Sequence, residues 1–171
     1  YGIGHVRYPT AGGAGKEFAQ PMYVNSPYGI SLVHNGNLTN SKQLGNELFH
    51  AEMRDLQTDS DSEVLLNIFA HELGKQREIY PSEKHIFKAV AKTHIRCDGA
   101  YAVLALINGH GMLAFRDSNG IRPLSIGIRK GKSRDDYIIS SEDALYTPLG
   151  FKKLRDVEPG EAIYIDKNGT M

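Results

Sequence analysis

The sequence is poor in cysteine, with Cys97 alone among 171 residues. No internal disulfide and no cysteine-based zinc site can be built from one thiol, and the scarcity fits a reducing compartment. Net charge is also missing. Twenty Lys plus Arg balance 20 Asp plus Glu, so bulk electrostatics favours neither nucleic acid, nor an anionic membrane surface, nor a polyanionic substrate. Long hydrophobic runs are absent too. The longest, residues 100–107, falls far short of the ~20 apolar residues that span a bilayer. No signal-peptide pattern, internal repeat or low-complexity linker occurs in these residues. What is present is an ordinary globular composition, 40% hydrophobic and 23% charged, and enough chain for one domain with a sizeable core.

Hydrophobic periodicity divides the chain. Residues 1–8 alternate, with Tyr1, Ile3, His5 and Arg7 on one side, and predict a strand. Residues 9–15 are rich in breakers and predict a loop. A strand over 30–34 precedes a helix over 40–50, with Leu44 and Leu48 four apart and Asn40/Gln43 at capping-box spacing. The strongest helix covers 60–73. Ser60 and Glu63 form a capping box, and Val64, Leu65, Ile68, Phe69 and Leu73 make one apolar face. A third covers 82–95, with Ile86, Phe87, Val90 and Ala91 inward. The second half turns to strands: 100–107 and 112–115 around the hairpin signal Asn108-Gly109-His110-Gly111, then 124–128, 137–140 and 162–165. Residues 130–136 make a charged, solvated turn. Strands, paired helices and further strands predict an α+β layered domain rather than a doubly wound one. The first strand has no lead-in and the last turn no return strand, so the stretch is expected to belong to a longer polypeptide.

Three polar anchors stand out. Asn35-Gly36 is a strong hairpin-turn signal, yet a helix start follows it rather than a second alternating strand. The alternative is a pair of donors, the Asn35 amide and the Gly36 N–H, aimed at one oxygen; such donors stabilise a tetrahedral oxyanion by several kcal/mol. Arg7 ends a strand and leads into a Pro- and Gly-rich loop; its guanidinium suits a carboxylate gripped bidentately. Asp61 opens a helix, where the dipole alone favours it. It also suits the α-ammonium of an amino acid, with Asp59 as a competitor. A guanidinium, an amide beside a glycine and a carboxylate together suit a free amino acid with an attackable side-chain carbonyl. Other readings fail. Gly12-Gly13-Ala14-Gly15-Lys16 lacks the first Gly and the Ser/Thr of a phosphate loop, and Gly109-His110-Gly111 lacks the rest of a dinucleotide fingerprint. The seven histidines show no metal-ligand spacing. Cys97 has no evident base partner and reads as structural.

Residues 2–12 (Gly-Ile-Gly-His-Val-Arg-Tyr-Pro-Thr-Ala-Gly), 25–30 (Asn-Ser-Pro-Tyr-Gly-Ile), 34–40 (His-Asn-Gly-Asn-Leu-Thr-Asn) and 60–63 (Ser-Asp-Ser-Glu) form a combined motif set. Residues 115–124 (Phe-Arg-Asp-Ser-Asn-Gly-Ile-Arg-Pro-Leu) and 159–165 (Pro-Gly-Glu-Ala-Ile-Tyr-Ile) complete it. The set resembles the glutaminase (class II glutamine amidotransferase) domain of the amidophosphoribosyltransferase family, and the likeness runs from first residue to last. The resemblance implies an N-terminal-nucleophile hydrolase fold: an α+β, four-layer αββα sandwich of antiparallel sheets, truncated here. It implies that Arg7 binds the glutamine α-carboxylate, that Asp61 binds the α-ammonium, and that Asn35 and Gly36 form the oxyanion hole. Tyr8 and Thr10 would sit in the loop that closes over glutamine. Residues 116–123 would be a structural turn near the cleft.

The resemblance also implies an activity: ammonia released from glutamine converts phosphoribosyl pyrophosphate to phosphoribosylamine in purine synthesis. Phosphoribosyl pyrophosphate and Mg would belong to a phosphoribosyltransferase domain outside these residues. No cofactor is expected in this stretch, nor a nucleic-acid or membrane partner; a cytoplasmic homo-oligomer is expected of the full-length protein. The family nucleophile is a cysteine at the mature N-terminus with its own α-amine as base. It is not among these residues, so 1–171 is expected to be a partial domain, inactive alone. Three alternatives stay open: the glutaminase domain of an asparagine-synthetase-like or glucosamine-phosphate-synthase-like enzyme, a non-catalytic amino-acid-binding module, and a scaffold without a ligand.

Overall fold

The computed structural model describes residues 1–6 and 15–171. Eight strands form two antiparallel sheets among them. The larger has the order β1 (Met22–Val24), β2 (Ile30–Leu38), β3 (Gly99–Ile107), β4 (Gly111–Arg116), β8 (Ala162–Asp166). The smaller places β5 (Ser125–Arg129) between β6 (Asp136–Ser140) and β7 (Lys152–Asp156). Helices α2 (Asp61–Gly74) and α3 (Glu83–Arg96) lie on the larger sheet, and α1 (Ser41–His50) packs against α2.

The run at 100–107 is apolar without interruption because both of its faces are covered. Tyr101, Val103, Ala105 and Ile107 point into the core beneath the helices, whereas Ala102, Leu104 and Leu106 point into a second core shared with Ile126, Ile139 and Val157. That second core glues sheet to sheet. The order of layers is therefore helices, large sheet, small sheet, an α+β sandwich with three of the four anticipated layers; no helix covers the outer face of the small sheet among the described residues.

α2 matches its predicted span, and Val64, Leu65, Ile68, Phe69 and Leu73 are all buried. Leu66 and Ala70 are buried as well, because α2 is wedged between α1, α3 and the sheet. Its capping box is half made. Ser60 accepts from the Ser62 N–H at 3.3 Å, but Glu63 turns outward to accept from the Gln57 and Thr58 N–H groups, each at 2.8 Å. At α1 the Asn40 side chain makes no cap bond; it donates to the Arg96 carbonyl at 2.8 Å and so ties the α1 start to the α3 end. In α3 Ile86 and Val90 point inward, but Phe87 and Ala91 face solvent and Ala89 and Thr93 take the inner positions. The buried stripe is turned by roughly one residue step, up to about 100°, from the predicted one, a phase that a short apolar pattern does not fix. The helices are also tied by charge: Arg96 meets Glu52 at 2.8 Å, Glu72 at 2.9 Å and Glu47 at 3.4 Å.

Besides the end of β2, the strand assignment needs correction at three places. Residues 1–6 form no strand; alternation supplies a face but not a ladder partner. Instead Ile3 packs on the inter-sheet core and the Tyr1 hydroxyl donates to the Asp166 carbonyl. β1 and β7 were not anticipated. β1 has three residues, and Lys-Lys-Leu-Arg-Asp of β7 is exposed throughout, as charged edge strands are.

Candidate active site

The site is built around β2. Its even residues face the helices: Ile30, Leu32 and Leu38 enter the helix-side core, and His34 reaches α2. Its odd residues face the small sheet, and Asn35 is among them. The strand does not stop at His34. The ladder with β3 continues through Asn35↔Ala102 and Gly36↔Tyr101 to Leu38↔Gly99. Asn35-Gly36 is therefore neither a hairpin turn nor a strand end. Glycine is required at 36 because the chains approach closely: a Cβ there, at φ +154°, would lie 2.0 Å from the Ala100 carbonyl oxygen and 2.8 Å from Tyr101 Cα. The backbone of Gly36 is exposed and Asn35 is half-buried.

On its other edge β2 pairs with β1 only from Ile30 to Leu32. Beyond that, side chains take over. Gln20 acts as a substitute strand: its Oε1 accepts from the His34 N–H at 2.6 Å, and its Nε2 donates to the His34 carbonyl at 3.2 Å and to Ser62 Oγ at 3.1 Å. Asp61 Oδ2 accepts from the Leu38 N–H at 3.0 Å. The first turn of α2 is thus stitched to the strand that carries Asn35 and Gly36, and Asp61 stays half-buried at that junction.

His34 lies between these parts. Its Nδ1 is 3.0 Å from Ser62 Oγ and 3.8 Å from Asp61 Oδ1. Burial pushes its pKa down to about 4; the Asp61 charge opposes this and the charges of His5 and Arg122 assist it. The imidazole is neutral at physiological pH, so its contact with Asp61 is a dipolar one and leaves the carboxylate charge unspent.

On the opposite face of β2, Arg122 Nη2 donates to Asn35 Oδ1 at 2.6 Å, while Asn35 Nδ2 lies 3.5 Å from Ser141 Oγ. Arg122 is delivered by the turn after β4. Asp117, fully buried, accepts from the N–H groups of Tyr101 (3.2 Å), Asn119 (3.1 Å), Ile121 (3.0 Å) and Arg122 (3.0 Å). Burial alone would raise the Asp117 carboxyl, but these N–H bonds outweigh it and hold it below the usual range. Arg116 satisfies the carbonyls of Gly120, Arg122 and Val157 at 2.5, 2.6 and 2.6 Å. Residues 116–123 are a structural turn, as expected, and they also place a cation against Asn35.

Cys97 is a core residue, 4% exposed, its thiol pushed up to about 12 by burial against the opposing charge of Arg96. It is no nucleophile. No group of three or more His, Cys, Asp or Glu able to hold a metal occurs among the described residues, and no helix there is long and apolar enough to cross a membrane. Of the predicted site residues, Asn35, Gly36 and Asp61 share β2 and its junction with α2. Arg7, Tyr8 and Thr10 lie outside the described residues. Sequence reasoning missed Gln20, His34, Ser62 and the contact of Arg122. Strand alternation could have placed His34 opposite Asn35, but nothing local pairs residues 87 apart.

Known proteins carry the same pattern. A glutamine amidotransferase domain family matches residues 13–146. The amidophosphoribosyltransferase of Escherichia coli is 56% identical over 172 residues, and that of Pseudomonas aeruginosa is 54% identical over 170; each match covers 99% of this chain and 34% of the relative. The chain thus spans about a third of the length of the curated relatives it matches. In structure it is similar to the glutamine phosphoribosylpyrophosphate amidotransferase of Bacillus subtilis complexed with ADP and GMP, with a TM-score of 0.73 at 34% identity over 96% of this chain and 32% of that one. With the family pattern running through most of its length, this chain belongs to the glutamine amidotransferase domain family.

Proposed function

We propose that residues 1–171 form part of the glutaminase half of an amidophosphoribosyltransferase, in which ammonia freed from glutamine converts phosphoribosyl pyrophosphate to phosphoribosylamine for purine synthesis. The observation that carries this reading is the bond from the Leu38 N–H to Asp61. It sets a half-buried carboxylate three residues along the strand from Asn35, about 10 Å at the usual rise. That span matches an extended glutamine with its α-ammonium at Asp61 and its carboxamide oxygen at Asn35 and Gly36. Arg7 would take the α-carboxylate, and Tyr8 and Thr10 would close over the ligand.

Cys97 is buried and protonated, so the attacking thiolate belongs to a cysteine outside these residues. It adds to the side-chain carbonyl carbon, and the C=O electron pair moves onto oxygen, which the Asn35 amide and Gly36 N–H stabilise. Collapse expels ammonia, with a proton returned by the nucleophile's own amine, and leaves a thioester that water converts to glutamate. Phosphoribosyl pyrophosphate and its Mg belong to a further portion of the protein. The intact protein is proposed to be a cytoplasmic homo-oligomer.

The test is steady-state glutamate release by the intact protein. Asn35→Ala should lower kcat by roughly a hundredfold to a thousandfold. Asp61→Asn should mainly raise KM for glutamine. A binding module without chemistry would release no glutamate in any variant while still binding glutamine calorimetrically.

A further inference from the structure

Asn35 has an ambiguity that the proposed chemistry cannot tolerate. A carboxamide is nearly symmetric in shape, but one end donates and the other only accepts. An oxyanion hole requires the NH2 end to face the substrate. If the amide turned over, its carbonyl oxygen would face a developing negative charge.

Among the described residues, Ser141 and Arg122 reach the Asn35 amide with their side chains. Ser141 Oγ, 3.5 Å from Nδ2, is a hydroxyl that either donates or accepts, so it does not select an orientation. Arg122 does select one. A guanidinium has donors and no acceptor, so the atom 2.6 Å from Nη2 must be the amide oxygen. A charge-assisted bond of that length is among the stronger hydrogen bonds of proteins. It also draws electron density from the amide and makes the remaining N–H groups better donors. Arg122 itself has little freedom: its backbone N–H is bonded to buried Asp117, and Arg116 holds its carbonyl.

We propose that Arg122 is a positioning residue for the glutaminase reaction: it locks the Asn35 amide with its NH2 end available to the oxyanion. The inference rests on Asn35 being an oxyanion donor and adds a requirement to it. Arg122 need not touch glutamine. Its effect falls on the chemical step and passes through Asn35.

The experiment is a double-mutant cycle in the intact protein, with kcat and KM for glutamate release from glutamine as readouts and melting temperature recorded for every variant. Arg122→Met should lower kcat roughly tenfold to a hundredfold and leave KM within about threefold, since the lost interaction is one made in the transition state. Adding Arg122→Met to Asn35→Ala should lower kcat no further than Asn35→Ala alone. Arg122→Lys, which restores one cationic donor, should recover part of the loss. Guanidinium ion added to Arg122→Ala should do the same, and because rescue requires a folded site it separates misfolding from misorientation. Losses that multiply in the double variant, or an undiminished kcat in Arg122→Met, overturn the role of Arg122 and leave Asn35 as a donor. An undiminished kcat in Asn35→Ala removes the oxyanion assignment itself, and the inference with it.

Discussion

Replacing Gly36 by alanine tests whether close strand approach, rather than turn formation, fixes glycine beside Asn35. The added Cβ would stand 2.0 Å from the Ala100 carbonyl oxygen and 2.8 Å from Tyr101 Cα. Ordinary C···O contacts in sheets are about 3.3–3.6 Å, so β2 and β3 must part by more than about 1 Å locally. These two atoms are backbone and cannot swing aside, and a third, His34 Nε2 at 2.8 Å, belongs to a buried ring. Parting the strands weakens about two ladder hydrogen bonds at roughly 1 kcal/mol each, and holding alanine at φ +154° adds about 1–3 kcal/mol of strain. The sum is about 3–5 kcal/mol, or a fall of roughly 10 °C in the melting temperature of a domain this size. Gly109→Ala is the control. Gly109 has φ +75° and nothing within 4 Å of an added Cβ, so conformational strain alone applies, about 1–2 kcal/mol. Calorimetry on the intact protein should show the Gly36 variant melting well below the Gly109 variant. Equal shifts for the two would refute the close-approach argument. So would a Gly36→Ala protein within about 3 °C of the parent.

Two further expectations concern titration and reactivity. Because the folded pKa of His34 lies near 4, below its usual 6.5, the unfolded chain binds the extra proton first as pH falls. Its contribution to stability is complete above 6.5, is lost progressively between 6.5 and about 4, and is constant below that; urea titrations of His34→Gln should lack this slope, and an unchanged slope would deny the buried neutral state. Cys97, with its thiol near 12, should resist iodoacetamide in the folded protein at pH 8 and react once unfolded, and Cys97→Ala should retain the glutaminase activity proposed above. Rapid labelling of the native protein would show that the thiol is not sealed in the core.

Legibility in the sequence followed the range of the interactions involved. α2 was legible because a helix repeats its buried face within its own residues, and Val64 through Leu73 spell that face out. β3 and β4 were legible because an apolar run and an Asn-Gly turn signal lie side by side. β7 was not, since an exposed edge strand has no buried face to reveal it. The capping-box spacings at Asn40 and Ser60 do not give complete boxes, because Asn40 bonds the Arg96 carbonyl and Glu63 bonds the Gln57–Thr58 backbone instead.

The sequence alone determined the family pattern and the layered α+β class and singled out Asn35, Gly36 and Asp61 as candidates, because motif and periodicity are properties of neighbouring residues. The tertiary structure decided what those residues do to one another. It ran β2 straight through Asn35-Gly36, set Asp61 against Leu38, and carried Arg122 across 87 residues to the Asn35 amide. Such contacts depend on how strands pair and sheets stack, and that is settled by the burial of two cores at once rather than by any local stretch of chain.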